Sequence, residues 1–187
     1  MARLLQDRDE FNQFCQLMAG KNVRSYLEIG SWSGESIRLA ATILPKKSRI
    51  VSVDKPFKKT KETYLKQAME DLHRSGYDTH LFLGDSTNAE IVAKVRALGP
   101  FDAVFIDGDH RLSYVKSDWL NYGNIGRLVA FHDIARDIPA DDYGGPHEVA
   151  SFWNEFKIDH KHVEFISEAT RLCLNGKAAY GIGVIFN

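Results

Sequence analysis

The sequence predicts an α/β domain, with five parallel strands separated by helices and an antiparallel pair closing the carboxyl end. Three observations carry that expectation. Short apolar runs rich in Val, Ile and Phe alternate with amphipathic stretches, the pattern of βα units around a parallel sheet. The runs SYLEIG, RIVSVD, HLFLGD, FDAVFID and GRLVAFHD each end on or near an acid. The stretch LEIGSWSGES, Leu27 to Ser36, then reads as strand, tight glycine turn and helix start.

Taken in order, Asp7 to Met18 is a leading helix with Phe11, Phe14, Cys15 and Met18 on one apolar stripe, placed to pack across the sheet or to cover a site. SYLEIG is the first strand, and the run IRLAATIL after Gly34 begins the next helix. RIVSVD is the second strand. Lys61 to Ser75 follows as a helix with Tyr64, Leu65, Ala68, Met69 and Leu72 on one face, stopped by Gly76. After HLFLGD, Thr87 with Glu90 reads as a capping box opening a helix that Gly99 ends. FDAVFID and GRLVAFHD complete the parallel set. Arg136 to Pro146 is rich in Asp, Gly and Pro, Glu148 to Phe156 is helical, and HVEFIS and AAYGIGVIF are late strands. A short connection containing Asn175 and Gly176 would make those two a hairpin. Trp119 and Trp153 stand at helical spacings and read as packing residues.

The 187 residues suffice for one domain with a substantial core, and 44% hydrophobic with 26% charged is an ordinary globular balance. We therefore expect a single domain over 1–187, with a leading helix in 1–22 and a substrate loop in 134–146. A net charge of -1 gives no electrostatic case for nucleic acid or an anionic membrane as partner, so a small polar molecule is the expected one. The leading helix and the late hairpin also offer surfaces for self-association into a homo-oligomer. Cys15 and Cys173 match no metal or redox spacing and read as buried or free thiols. With no secretory-type start and no apolar run of about 18 residues, the expected compartment is the cytoplasm.

In an open α/β sheet, ligands gather beyond the carboxyl ends of the strands. Those positions hold Glu28 with the turn Gly30, Ser31, Trp32, Ser33 and Gly34; Asp54, suited to both hydroxyls of a ribose; Gly84, Asp85 and Ser86, suited to a purine edge; Asp107 to His110; and His132 with Asp133. A glycine after a strand also serves plain helix-strand packing, and Asp54 is equally placed as a helix cap or loop acid. A dinucleotide fingerprint requires G-x-G-x-x-G, whereas Trp32 stands between Gly30 and Gly34 and Glu35 occupies the last glycine position. A pyrophosphate would meet an indole and a carboxylate. A cofactor without phosphates fits better.

These residues resemble the class I S-adenosylmethionine-dependent methyltransferases: E-x-G-x-x-x-G at Glu28, Gly30 and Gly34, then Asp54, GDS at Gly84 to Ser86 and FIDGDH at Phe105 to His110. The phrases LEIGSWSGES, VFIDGDH and VAFHDI are similar to the branch with small bacterial sugar O-methyltransferases and cephalosporin hydroxylase-like proteins; Trp32 replaces the superfamily's usual glycine there. The resemblance implies a Rossmann-like doubly wound sheet of order 3-2-1-4-5-7-6. It also implies that Glu28 to Gly34 hold the methionine part of the cofactor, Asp54 the ribose, Asp85 and Ser86 the adenine, with Asp107 beside them.

In that strand order the fourth and fifth strand ends are neighbours, so Asp107, His132 and Asp133 converge. They would bind Mg²⁺ or another divalent cation, as in the metal-dependent O-methyltransferases, where the ion lowers the pKa of a bound hydroxyl. The alternative is that Asp107 only orders its loop and His132 is a hydrogen-bonded core histidine. Asp107 and His110 are the candidate catalytic residues, His110 as base or substrate contact. His147 is placed either where a substrate loop rejoins the fold or as a helix cap. The expected activity is methyl transfer to an oxygen of a small polar acceptor such as a sugar hydroxyl. An NAD-dependent oxidoreductase and a non-catalytic cofactor-binding domain are the alternatives; NADH binding would favour the first, and cofactor binding without turnover the second.

Overall fold

In the computed structural model, residues 5–139, 145–172 and 180–187 are described. The strands are β1 (Ser25–Ile29), β2 (Arg49–Asp54), β3 (Asp78–Leu83), β4 (Phe101–Ile106), β5 (Gly126–His132), β6 (His162–Phe165) and β7 (Ile182–Phe186). The helices are α1 (Arg8–Gly20), α2 (Glu35–Ala41), α3 (Lys59–Arg74), α4 (Ala89–Ala97), α5 (Leu112–Tyr122), α6 (Val149–Phe156) and α7 (Glu168–Leu172). The strands form one sheet of order β3-β2-β1-β4-β5-β7-β6, parallel from β3 to β5 and antiparallel where β7 meets β5 and β6. The expected fold class and strand order are both found.

Helices cover both faces, which is why the central strands are apolar at consecutive positions rather than alternating with polar ones. Tyr26, Ile50, Phe105 and Leu128 face a layer with Phe11, Phe14, Met18, Ile37 and Leu65. Leu27, Val51, Val104 and Phe131 face the other, with Val95, Val115, Phe152 and Trp153. The leading helix lies on the sheet: the Phe11 and Phe14 rings stand 5.5 and 5.4 Å from that of Phe105.

Three local expectations are revised. Tyr64 is half exposed, and the buried face of α3 is Leu65, Ala68, Met69 and Leu72. The cap of α4 is Asn88, whose side chain accepts the Glu90 and Ile91 amides; Thr87 is held instead by Asp85. Helix α7 stands between β6 and β7, so their pairing is antiparallel without a tight hairpin turn. Asn175, Gly176 and Cys173 lie outside the described residues, as does part of the predicted loop, 140–144.

Glu10 is fully buried on α1, and its carboxylate accepts the Ser167 amide at 2.8 Å and the Gly181 amide at 2.7 Å. One side chain thus fastens α1 to the segments entering α7 and β7. Glu10→Ala would strand two buried N–H donors and is expected to cost about 2 kcal/mol, read as a lower urea midpoint with unchanged slope.

Candidate active site

The strand ends form a continuous floor along one edge of the sheet. After β1 the chain turns through Gly30 and Gly34, both at positive φ (87° and 85°), with Trp32 also left-handed at 52°. The Gly30 amide donates to Val53 O at 2.8 Å, the Gly34 amide to Ser31 O at 2.7 Å, and the Trp32 amide to Asp54 Oδ2 at 2.6 Å. Ser52 Oγ–H reaches Ser31 Oγ at 2.8 Å, tying β2 to the same turn. Lys61 Nζ lies 4.7 Å from the Trp32 ring centre, so α3 supports the indole from outside. Ser33 Oγ is buried and has no hydrogen-bond partner among the described residues.

Two acids beneath this turn are held away from their ordinary ionisation. Burial pushes Asp54 up to about 6, opposed by the amide bonds it accepts. Glu28 is fully buried, accepts Tyr26 Oη–H and Ser36 Oγ–H at 2.5 Å each, and is pushed by burial to about 8. A raised acid binds more protons folded than unfolded, so its stabilising contribution is complete below the unfolded value of 4.5 and is lost as pH rises through 8. Glu28→Gln is therefore expected to match the wild type most closely in acid and to outlast it increasingly between those pH values. Paired melting curves across that range check this; parallel pH profiles would refute it.

On β3's far side, Gly84 (φ 155°) leads to Asp85, whose carboxylate accepts the Thr87 amide at 3.0 Å and pairs with Lys55 at 3.2 Å. The Ser86 carbonyl accepts Tyr122 Oη–H at 2.6 Å. Asp118, fully buried on α5 nearby, is raised by burial to about 7, opposed by the Ser86 side chain beside it. Its spacing with Val115 and Tyr122 puts an acid on the apolar stripe of a helix, a signal legible in the sequence.

At the ends of β4 and β5 the expected convergence is present. His132 Nδ1 stands 3.0 Å from Asp107 Oδ1 and 3.2 Å from Asp133 Oδ1. His110 Nε2 is 3.2 Å from Asp133 Oδ2 and 3.5 Å from Asp107 Oδ1, and His147 Nδ1 is 3.2 Å from that same Asp133 Oδ2. Asp133 leaves β5 in the left-handed region (φ 65°), which Asp tolerates, and its Oδ1 also accepts the Tyr180 amide at 2.8 Å. Gln6, ahead of α1, donates its side-chain amide to Asp107 Oδ2. Asp109 turns aside to pair with Arg111. Burial opposes charge on all three central groups, yet the carboxylates hold the His132 imidazolium well above the usual histidine range, and His132 holds Asp107 and Asp133 low.

His147 belongs to this cluster more firmly than its sequence context implied. Its backbone exchanges two hydrogen bonds with Ile138, 2.9 and 3.0 Å, closing the base of the predicted loop over Asp133. Nothing local in GGPHE announces that pairing.

The sequence profile of a family described as "Methyltransferase domain" matches residues 27–134, the span holding the glycine turn, Asp54 and Asp107. No curated protein sequence matches the chain. Among solved structures, the chain is similar to a Staphylococcus aureus protein assigned as a caffeoyl-CoA O-methyltransferase, at 18% identity and TM-score 0.71, over 98% of this chain and 86% of that one. It is similar to the O-methyltransferase TomG of Streptomyces achromogenes in complex with SAM, at 16% identity and TM-score 0.69, over 98% and 81% of the two chains. A Bacillus cereus O-methyltransferase in complex with SAH follows at 14% identity and TM-score 0.66, over 97% and 82%. With more than half its length matched by the family profile on a sheet of this order, the chain belongs to the methyltransferase-domain family.

Proposed function

We propose that the protein transfers a methyl group from S-adenosylmethionine to an oxygen of a small polar acceptor such as a sugar hydroxyl. The observation that carries this is the 2.6 Å bond from the Trp32 amide to Asp54. The Trp32 amide, with those of Gly30 and Gly34, is spent within the protein, so these are not donors left for a pyrophosphate. Asp54 remains a carboxylate for a ribose diol, a contact common to nucleoside cofactors, so the discrimination rests on those engaged amides. This disfavours the dinucleotide alternative.

Bound S-adenosylmethionine supplies the methyl group as a sulfonium electrophile. The Glu28–Gly34 turn would hold its methionine end, Asp54 its ribose hydroxyls, and Asp85 with Ser86 its adenine, Asp107 lying at the inner boundary. His110 would take the acceptor hydroxyl's proton, and Asp133, whose Oδ2 is 3.2 Å from its Nε2, would stabilise the imidazolium formed. The chemistry of Asp107, His132 and Asp133, two carboxylate oxygens and one imidazole nitrogen within 4.8 Å of one another, fits a divalent ion. A divalent ion there supplies Lewis acidity toward an acceptor hydroxyl. The loop at 134–146, closed at its base by Ile138 and His147, is the proposed acceptor-contacting segment of a single domain. No helix among the described residues is long and apolar enough to cross a membrane.

Isothermal titration with S-adenosylhomocysteine, and separately with NADH, tests the cofactor. Binding of the first alone is expected. Binding of NADH alone would replace this reading with the oxidoreductase one.

A further inference from the structure

We propose that His110, Asp133 and His147 form a binding position for an imidazole-preferring transition-metal ion, Zn²⁺, Co²⁺ or Ni²⁺, beside the Asp107–His132–Asp133 position. His110 Nε2 and His147 Nδ1 each stand 3.2 Å from Asp133 Oδ2. Two ligands about 2.1 Å from one ion, at angles between octahedral and tetrahedral, stand about 3.0–3.4 Å apart. The observed separations are therefore those of ligand edges, and the three donor atoms lie within 4.8 Å of one another.

Protons shared among these groups would give similar distances, so the surroundings matter. Asp133 Oδ1 is already engaged by the Tyr180 amide and His132, leaving Oδ2 as the atom on which both other imidazoles converge. The two rings are near-parallel, centroids 4.0 Å apart and 32° between planes, an arrangement that repels if both carry a full charge. A divalent ion between their lone pairs and a carboxylate removes that repulsion.

The backbone also sets the pair in advance. The Glu148 amide donates to His110 O at 2.9 Å, while Glu148 Oε2 accepts the Leu112 amide at 2.9 Å. The residue after His147 thus clamps the loop carrying His110, and the Ile138 bridge holds His147 from the other side. Ligands fixed by such supporting contacts lose little freedom on binding an ion. Asp133 and His147 are largely buried, and the His110 side chain is 25% exposed, giving an entry route.

The donor sets separate the two positions by ion type. Two imidazoles and one carboxylate favour Zn²⁺, Co²⁺ or Ni²⁺ over Mg²⁺, which prefers oxygen ligands and retained water. An ion and a proton would compete for His110 Nε2, so a filled position withdraws that nitrogen from proton acceptance. The consequence for His110 rests on the proposed function; the position itself does not.

The test uses the full chain stripped by chelator and titrated with Co²⁺, followed by its visible d–d absorption and by calorimetry, with Mg²⁺ alone in parallel. Co²⁺ is expected to bind at least tenfold more tightly than Mg²⁺. His147→Phe, which keeps a ring stacked on His110, should weaken Co²⁺ about 100-fold, whereas Asp107→Asn should change it less than threefold. His147→Ala and melting curves of each variant separate lost binding from lost folding. Co²⁺ binding that survives both His147 variants but disappears in Asp107→Asn would overturn the proposal and leave the Asp107–His132–Asp133 reading intact. Wild-type protein that takes up neither ion would remove both metal positions, while S-adenosylhomocysteine titration still judges the cofactor reading.

Discussion

Asp54→Ala is expected to weaken S-adenosylhomocysteine binding about 100-fold, roughly 3 kcal/mol, measured by calorimetry. The magnitude follows from two losses at one atom group. The carboxylate is a double acceptor for the ribose diol, and charge-assisted bonds of that kind contribute about 1.5–3 kcal/mol each. It also fixes the turn through the Trp32 amide at 2.6 Å, and without it that amide must find another partner. Asp54→Asn separates these roles. An amide oxygen still accepts from Trp32, so the turn keeps its shape and the loss should fall to about tenfold. The pH response has a definite sign: with Asp54 raised to about 6, wild-type affinity should decline as pH falls through that value, because protonation converts one acceptor oxygen to a hydroxyl. The Asn variant should lack that decline. Unchanged affinity in Asp54→Ala would detach the ribose from Asp54 and with it the cofactor assignment.

What was legible in the sequence follows from which interactions are local. The strands announce themselves because both sheet faces are covered, so Leu27, Ile29, Val51, Val53, Val104 and Ile106 could not be polar without losing burial. The strand-end acids were legible for the complementary reason: a charge closing an apolar run lies where the sheet opens to ligand. Pairings across long separations were not. Glu10 reads as one more surface acid of α1 until residues 167 and 181 are brought to it. His147 reads equally as a helix cap or as the end of a substrate loop until its bridge with Ile138 carries it to Asp133. Asn88 and Thr87 differ by one position and both are competent caps; Asp85 decides the matter by engaging Thr87 first. The antiparallel β6–β7 pair is legible in the alternating apolar runs, but α7 in its connection is not, because a helix of 5 residues is too short to show a period.

Gly30→Ala tests the other half of the turn, its approach to β4, and carries the largest expected loss of stability. At φ 87° an alanine already costs about 1–2 kcal/mol. A β-carbon there would lie 2.1 Å from the Asp107 carbonyl oxygen and 2.6 Å from Gly108 Cα. Those are backbone atoms held by the Asp107 amide's 2.8 Å bond to Ile29 O, so relief requires separating β1 from β4 at the point where the site is built. The total is expected to exceed about 4 kcal/mol, a range reached by few single substitutions, and to lower the melting temperature by roughly 10 °C for a domain of this size. Gly20→Ala is the control: it ends α1, its β-carbon would meet nothing within 4 Å, and it should be neutral or slightly stabilising. A Gly30 variant that melts with the control would show that β1 and β4 do not approach this closely. Destabilisation with the Asp107–His132 contact preserved, seen as unchanged His132 ring resonances below the melting point, would place the strain on the cofactor side alone. The close contact at Gly30 instead predicts that both change together, because Asp107 presents its carbonyl against Gly30 and its carboxylate to His132.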